Sequence, residues 1–244
     1  MISVICVYNN EKQLKTQLEC SLKFQNASLE FIKIDNRCGK FESAAKALNY
    51  GAKLAKGDVL IFSHQDIYFK TENEIEELAE VIHHCKVGTI VGTQGVMEKS
   101  KKYYSNLTAG EEYDCNPNYE FEKKLYEVAC IDEGLFGMKK ATWEEHHFDE
   151  SICNNWHLYA VEQCLYARSH SGKVYVYPSQ IHHFSKGRIS LGYMQNMREL
   201  CKKYRKSFKY IWTTCYKVRT SSLYINALIT VWCLNRFIRR KPLD

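Results

Sequence analysis

The sequence predicts an α/β fold with a Rossmann-like, mostly parallel central sheet flanked by helices. Three observations carry that expectation. Val59, Leu60, Ile61 and Phe62 form an unbroken apolar run of strand length behind Gly57-Asp58, as a strand buried on both faces requires. Two strand–helix pairs precede it in strict alternation, which implies right-handed crossovers between parallel strands. Polar residues sit where these strands end, the edge at which open α/β sheets hold ligands.

Ser3–Tyr8 alternates and is rich in β-branched residues, so it reads as the first strand, and Asn9-Asn10 cap a helix from about Glu11 through Lys23. Leu14, Leu18 and Leu22 give that helix one buried stripe. Leu29–Ile34 is the second strand, closed by Asp35-Asn36-Arg37. From Phe41 to Ala55 a helix presents Ala44, Ala45, Leu48, Ala52 and Ala55 to the sheet, with Gly57 as its C-terminal stop. The strand at 59–62 ends in His64-Gln65-Asp66, and a helix over Glu72–Cys85 and a strand over Val87–Val91 continue the alternation. Residues 93–124 lack periodicity and read as a long loop that covers something, since such connections in compact domains are usually functional. Strand character resumes over Val128–Met138, interrupted by Asp132-Glu133; a helix follows from about Asn155 to Ser169, then extended pieces at Val174–Tyr177 and Ile181 before His182-His183. Beyond Ser190 the chain reads as a basic, helical C-terminal extension.

The 244 residues suffice for one large domain or one domain with an appendage. Eleven cysteines, an odd number, are scattered singly with no CxxC pair, which argues against a disulfide framework and a zinc site and for reduced thiols in a cytosolic setting. The N-terminal MISVICVYNN has no basic n-region and reads as a strand, not a secretory signal. Charge is uneven: from Arg198 on, twelve Lys or Arg face only Glu199 and Asp244, a local +10 within a net +6, so the rest of the chain is near −4. Neither GxGxxG nor GxxxxGK[ST] is present, which excludes those phosphate loops. Tyr8-Asn9, Asp35-Asn36, His64-Gln65-Asp66, Asp132-Glu133 and His182-His183 fall at strand ends, and on one edge of a parallel sheet they suit a nucleotide with a divalent ion that Asp66 shares with a diphosphate. Taken one at a time, each is also an ordinary polar turn.

The blocks SVICVYNN, IDNRCGKFESAAKALNYGAKLAKGDVLIFSHQDIYF, DEGLFGMKKATWEEHHFDE, WHLYAVEQCLYA and IHHFSKG resemble family 2 glycosyltransferases of the GT-A fold, in the bacterial branch that carries HQD in place of Asp-x-Asp. The likeness covers roughly residues 2–190. It implies a domain over 1–190, with a nucleotide-sugar half at 1–92 and an acceptor half at 93–190, followed by the extension at 191–244. It also implies transfer of a sugar from a UDP- or dTDP-sugar with inversion, assisted by Mn²⁺ or Mg²⁺, onto a glycan or lipid-linked acceptor in cell-surface polysaccharide assembly. Carried over by position, Val7, Tyr8 and Asn9 line base and ribose and Asp35 accepts from the nucleobase, with Asn36 beside it. Asn49 and Gly51 back this pocket, Asp66 binds the metal, and His64 and Gln65 complete the HQD triplet. His182 or His183 matches a late histidine that reaches the metal, and an imidazole ligand favours Mn²⁺.

The usual base of the family falls on Ala160 here, so Asp132 and Glu133 are the first candidates for the base, with Glu162 and His157 after them. Trp156 is a candidate for stacking on an acceptor sugar, or an ordinary core tryptophan. Two rivals remain: a nucleotidyltransferase, which would need a basic glycine-rich loop that VYNNEKQ lacks, and a non-catalytic nucleotide-sugar-binding scaffold that has lost its base. Leu223–Leu234 is apolar over twelve residues between basic flanks, well short of the roughly 20 needed to span a bilayer. It reads as a peripheral segment drawn to anionic lipid at the inner face of the cell membrane, or else as a packing arm in a homodimer. Nucleic acid is not an expected partner, because the basic residues lack an aromatic platform on a sheet.

Overall fold

A computed structural model describes residues 1–98, 102–185, 189–239 and 242. Lys186 and Gly187 of the IHHFSKG block and Arg240 and Lys241 of the basic flank lie outside the described residues. The first half runs β1 (Ile2–Tyr8), α1 (Glu11–Thr16), α2 (Leu18–Leu22), β2 (Leu29–Asp35), α3 (Ala44–Leu54), β3 (Val59–Ser63), β4 (Ile67–Phe69), α4 (Glu74–His84) and β5 (Ile90–Gly92). Then come β6 (Gln94–Val96), β7 (Tyr103–Ser105), β8 (Thr108–Ala109), β9 (Tyr126–Glu127), β10 (Cys130–Ile131), β11 (Leu135–Lys139) and α5 (Lys140–Glu145). The chain closes with α6 (Tyr159–Ser169), β12 (Val174–Val176), β13 (Ile181–His183), α7 (Leu191–Tyr204), β14 (Tyr210–Trp212), β15 (Lys217–Arg219) and α8 (Ser222–Ile238).

The main sheet has seven strands in the order β2-β1-β3-β11-β5-β12-β9. Pairing of β1 with β2 and β3, and of β5 with β12, is parallel, whereas β11 runs against both β3 and β5 and β9 against β12. Five strands therefore share one direction, and β11 brings its starting end to the edge where β1 and β3 finish. His64 N–H donates to Gly134 O there at 2.9 Å. Three small sheets, β10-β6-β7, β4-β13-β8 and β14-β15, ride above this edge and beside it.

All five residues of β3 are buried, as an apolar strand between two helical layers should be. One core layer joins that sheet to α3, α6 and α7, and the other joins it to α1, α2 and α4. Ser43 caps α3 by accepting from Lys46 N, and the small face of that helix lets it lie close: a Cβ on Gly51 would meet Ile5 Cγ2 at 2.6 Å. Ile211, Val218 and Ile225 from the C-terminal segment bury into the same layer as Ile5 and Phe62. No helix among the described residues is long and apolar enough to cross a membrane.

Several local expectations change. The helix expected over 11–23 breaks at Gln17, whose φ of −114° and ψ of −81° are not helical. Gly57 does not stop α3 through a left-handed cap, because Ala55 already leaves the helix in extended conformation. It is needed instead for close approach, since a Cβ would sit 2.5 Å from Ser3 Oγ and 2.7 Å from Met1 O. Residues 93–124 hold three short strands instead of a bare loop, and 128–138 splits between two sheets at Asp132–Gly134. The β14–β15 hairpin interrupts what reads in sequence as a helical extension.

Candidate active site

At the carboxyl ends of β1 and β3 a cavity of about 350 Å³ is lined by Val7, Tyr8, Asn9, Asn36, His64, Gln65, Asp66, Glu133, Trp156 and Tyr159, over an apolar floor of Ala44, Leu48 and Phe62. A second cavity of about 700 Å³ adjoins it and shares His64, Glu133 and Trp156. The loops are braced by the pocket's own polar groups. Gln65 Oε1 accepts from the N–H of Asn9 and of Asn10, each at 3.0 Å, while its amide donates to Asn9 Oδ1 at 2.8 Å. Asn36 closes its turn through Phe41, accepting from its N–H at 2.7 Å and donating to its carbonyl at 3.1 Å. Asp35 lies at the rim, outside the lining residues, where Arg37 holds its carboxylate at 2.6 Å and keeps its pKa well below the usual range.

His64, Asp66 and His183 each offer a donor atom, and the three atoms lie within 4.8 Å of one another. Asp66 Oδ1 is 3.2 Å from His183 Nε2 and 3.9 Å from His64 Nδ1. Apart from this Asp66 oxygen, buried His183 Nε2 has no polar partner among the described residues, the arrangement of two ligand atoms facing a common ion. Burial pushes the Asp66 pKa up, but the two imidazoles outweigh it and the net shift is downward; for His183, burial works downward and Asp66 turns the net shift upward. For His64 burial prevails and the pKa falls, which favours the neutral form that ligates. Two imidazoles and one carboxylate make a donor set that suits Mn²⁺ better than Mg²⁺.

His182 is not part of this cluster. Successive side chains of a strand point to opposite faces, so His182 turns away from His183, with Nδ1 2.9 Å from Thr108 Oγ1 and Nε2 3.1 Å from Gly110 O. Asn49 and Gly51 also stand apart from the pocket. Asn49 spends its amide on Phe148 and Glu150 and accepts from Trp143 Nε1 and Phe148 N, tying α3 to the segment after α5. The role of Gly51 is the close packing of α3 on β1. Glu162 faces neither cavity: it is fully buried, bound by Lys203 at 2.6 Å, Tyr204 at 2.7 Å and His146 at 2.9 Å. A carboxylate so saturated cannot serve as a base.

The remaining acid–base candidates are well placed. Asp132 accepts from Gly134 N and from Thr214 Oγ1, both at 3.0 Å, and lines the larger cavity with His157. Glu133 lies between the two cavities with its carboxylate at the first N–H groups of α6, those of Ala160, Leu158 and Tyr159. Its Oε1 has no hydrogen-bond partner among the described residues. Burial first, and then the charge of Asp132, raise its pKa well above the ordinary carboxylate range. Trp156, 40% exposed, forms a shared wall. Tyr159, which sequence reasoning missed, reaches His64 Nε2 with its hydroxyl at 3.0 Å; its place one residue before Ala160 was the available signal.

A family model described as "Glycosyltransferase like family" matches residues 3–212. No curated protein matches the chain in sequence. Among solved structures, GalNAc-T7 with UDP, GalNAc and Mn²⁺ superposes with a TM-score of 0.58 at 13% identity, over 81% of this chain and 47% of that one. S. aureus TarS gives 0.53 at 14% identity over 83% of this chain and 39% of that one, and S. aureus TarS 1-349 in complex with UDP-GlcNAc gives 0.55 at 15% identity over 97% and 72%. The chain thus spans about half the length of the first of these or less of the second. At such identities the likeness is one of fold, the GT-A fold.

Proposed function

The chain belongs to the glycosyltransferase-like family, and on that premise we propose that it moves a sugar from a nucleotide-diphosphate donor to a glycan or lipid-linked acceptor with inversion at the anomeric carbon and with help from a divalent cation. The observation that carries this reading is the His64–Asp66–His183 cluster at the mouth of a cavity built from the ends of β1 and β3. GalNAc-T7 and TarS 1-349 were solved with UDP and UDP-GlcNAc respectively, which supports UDP as the first donor nucleotide to try, with dTDP next.

Val7, Tyr8, Asn9 and Asn36 would hold base and ribose, with Asp35 at the rim, and His64, Asp66 and His183 would hold the cation. A cation bound there supplies charge to neutralise the leaving diphosphate. Glu133, between donor and acceptor cavities, accepts the proton of the attacking hydroxyl as the new oxygen–carbon bond forms and the anomeric carbon–oxygen bond to the diphosphate breaks. Asp132 flanks the same hydroxyl, and Trp156 offers a ring face to a sugar. The division into residues 1–190 and 191–244 serves this reading as a transfer domain with an anchoring arm at the inner face of the cell membrane, consistent with polysaccharide assembly.

Thermal unfolding tests it, since a ligand of the folded state raises the melting temperature by mass action, with about 2.7 kcal/mol of added stability at a hundredfold excess over Kd. UDP or dTDP with Mn²⁺ is expected to raise it more than the nucleotide alone, and Asp66→Asn to remove that difference. No stabilisation by either nucleotide with Mn²⁺ or Mg²⁺ would end the proposal.

A further inference from the structure

The larger cavity is closed on its far side by Thr213, Thr214 and Cys215, the turn of the β14–β15 hairpin. That turn begins one residue beyond the segment matched by the family model. It is also a built wall. Thr213 is buried, its Oγ1 accepts from Tyr216 N at 2.8 Å and Cys215 N at 3.2 Å, and its N–H donates to Tyr216 O at 2.8 Å. Tyr193 of α7 pins it from behind, hydroxyl to hydroxyl at 3.0 Å. From this fixed turn the Thr214 hydroxyl reaches across and donates to Asp132 Oδ2 at 3.0 Å, so the carboxylate is aimed by the C-terminal hairpin.

The chemistry of the cavity selects its occupant. Its described lining holds Asp132 and Glu133, the imidazoles of His64, His157 and His183, the amide of Gln94 and the rings of Tyr103, Trp156 and Tyr193. An uncharged pyranose donates its hydroxyls to carboxylates and lays its apolar face on rings. Resting on the glycosyltransferase reading, we propose that the Thr213–Tyr216 turn is the acceptor-specificity wall and that Thr214 positions Asp132 to accept from a hydroxyl of the accepting sugar.

Calorimetric titration of the protein loaded with UDP and Mn²⁺ tests this, with methyl β-glycosides of glucose, galactose and N-acetylglucosamine as probes, at least one of which is expected to bind. Thr214→Val should weaken that binding by about tenfold, roughly 1.4 kcal/mol, Thr214→Ser should restore it, and Cys215→Trp should abolish it by filling the space. UDP binding, measured first in each variant, reports an intact fold and donor pocket. Loss of UDP binding in the unaltered protein overturns the donor reading and this inference with it. Retained UDP binding overturns this inference alone if no glycoside binds, or if Thr214→Val and Cys215→Trp leave glycoside binding unchanged.

Discussion

Glu133 carries two features that pull against each other. The N–H groups of Leu158, Tyr159 and Ala160 favour its carboxylate form, while burial and the neighbouring Asp132 disfavour it, and the second pair prevails. A carboxylate held that way is a stronger base than one in water, and it stands before the N–H of Ala160, whose buried methyl cannot do acid–base work. Glu133→Gln is expected to lower transfer by about 10²–10⁴-fold while leaving UDP-dependent stabilisation in place; transfer that survives the change rules Glu133 out as the base. The sign of the stability effect follows from the same shift. The folded pKa lies above the unfolded value of about 4.3, so the protonated form is favoured by folding. That contribution is complete below the unfolded pKa and is lost as pH rises through the folded one. Melting curves against pH should therefore show Glu133→Gln gaining on the native chain as pH climbs. The residues gathered around the smaller cavity were largely legible, because Tyr8-Asn9, Asn36 and His64–Asp66 follow apolar runs of strand length. Asn49 and Gly51 lie on the helix whose Ala44 and Leu48 floor that cavity, with their own contacts to the Phe148 segment and Ile5; a buried amide and a close-packed glycine look the same in sequence whether they serve a ligand or a neighbouring element.

At the scale of elements, Glu162 joins α6 to α7. Its fully buried carboxylate meets Lys203 and Tyr204 from α7 and His146 from the end of α5, and Lys203 also pairs with Asp149 at 2.8 Å. Removing Glu162 would leave Lys203 paired with Asp149 alone and strip Tyr204 and His146 of a buried acceptor, which costs about 1–3 kcal/mol. Glu162→Ala is expected to lose that much in urea unfolding while its folded fraction retains transfer; a stable variant without transfer would return Glu162 to the chemistry. Asp149 belongs to the same network, and burial, which would raise its pKa, is outweighed by Lys203 and Ser151, so it falls to about 2. Its contribution is present above the unfolded value near 3.9 and is lost as pH falls through about 2. Helices with a clear apolar stripe, α3 and α4, were readable. The β14–β15 hairpin was not: YIW and KVR are three residues each, joined by TTCY without glycine or asparagine, so no turn signal marks them.

On the scale of the whole molecule, the acidic body and basic tail meet at α8. Ile225 anchors that helix to the core, yet Leu223, Phe237 and Ile238 are 86%, 81% and 75% exposed. Arg219, Arg236 and Arg239 stand beside this face, and no acidic residue occurs between Glu199 and Asp244. Each basic residue near an anionic bilayer adds about 1 kcal/mol. Sedimentation with phosphatidylserine-containing vesicles should therefore capture the protein, less well as salt rises, and Leu223→Glu with Phe237→Glu should release it. Capture by neutral vesicles alone, or a dimer in ultracentrifugation that the same pair of changes dissolves, would assign the face to other work. The parallel α/β plan was legible from the alternation of strands and helices, but the place of β11 was not, because pairing direction leaves no mark on an apolar run. That reversal constrains how the protein can vary over evolutionary time. Leu135–Lys139 is locked by ladders on both sides, so one residue gained or lost just ahead of it would swing Asp132 and Glu133 to opposite faces. The exposed stretch at 111–117 can lengthen or shorten freely, whereas 132–134 is held in length and, at Asp132 and Glu133, in side-chain identity as well.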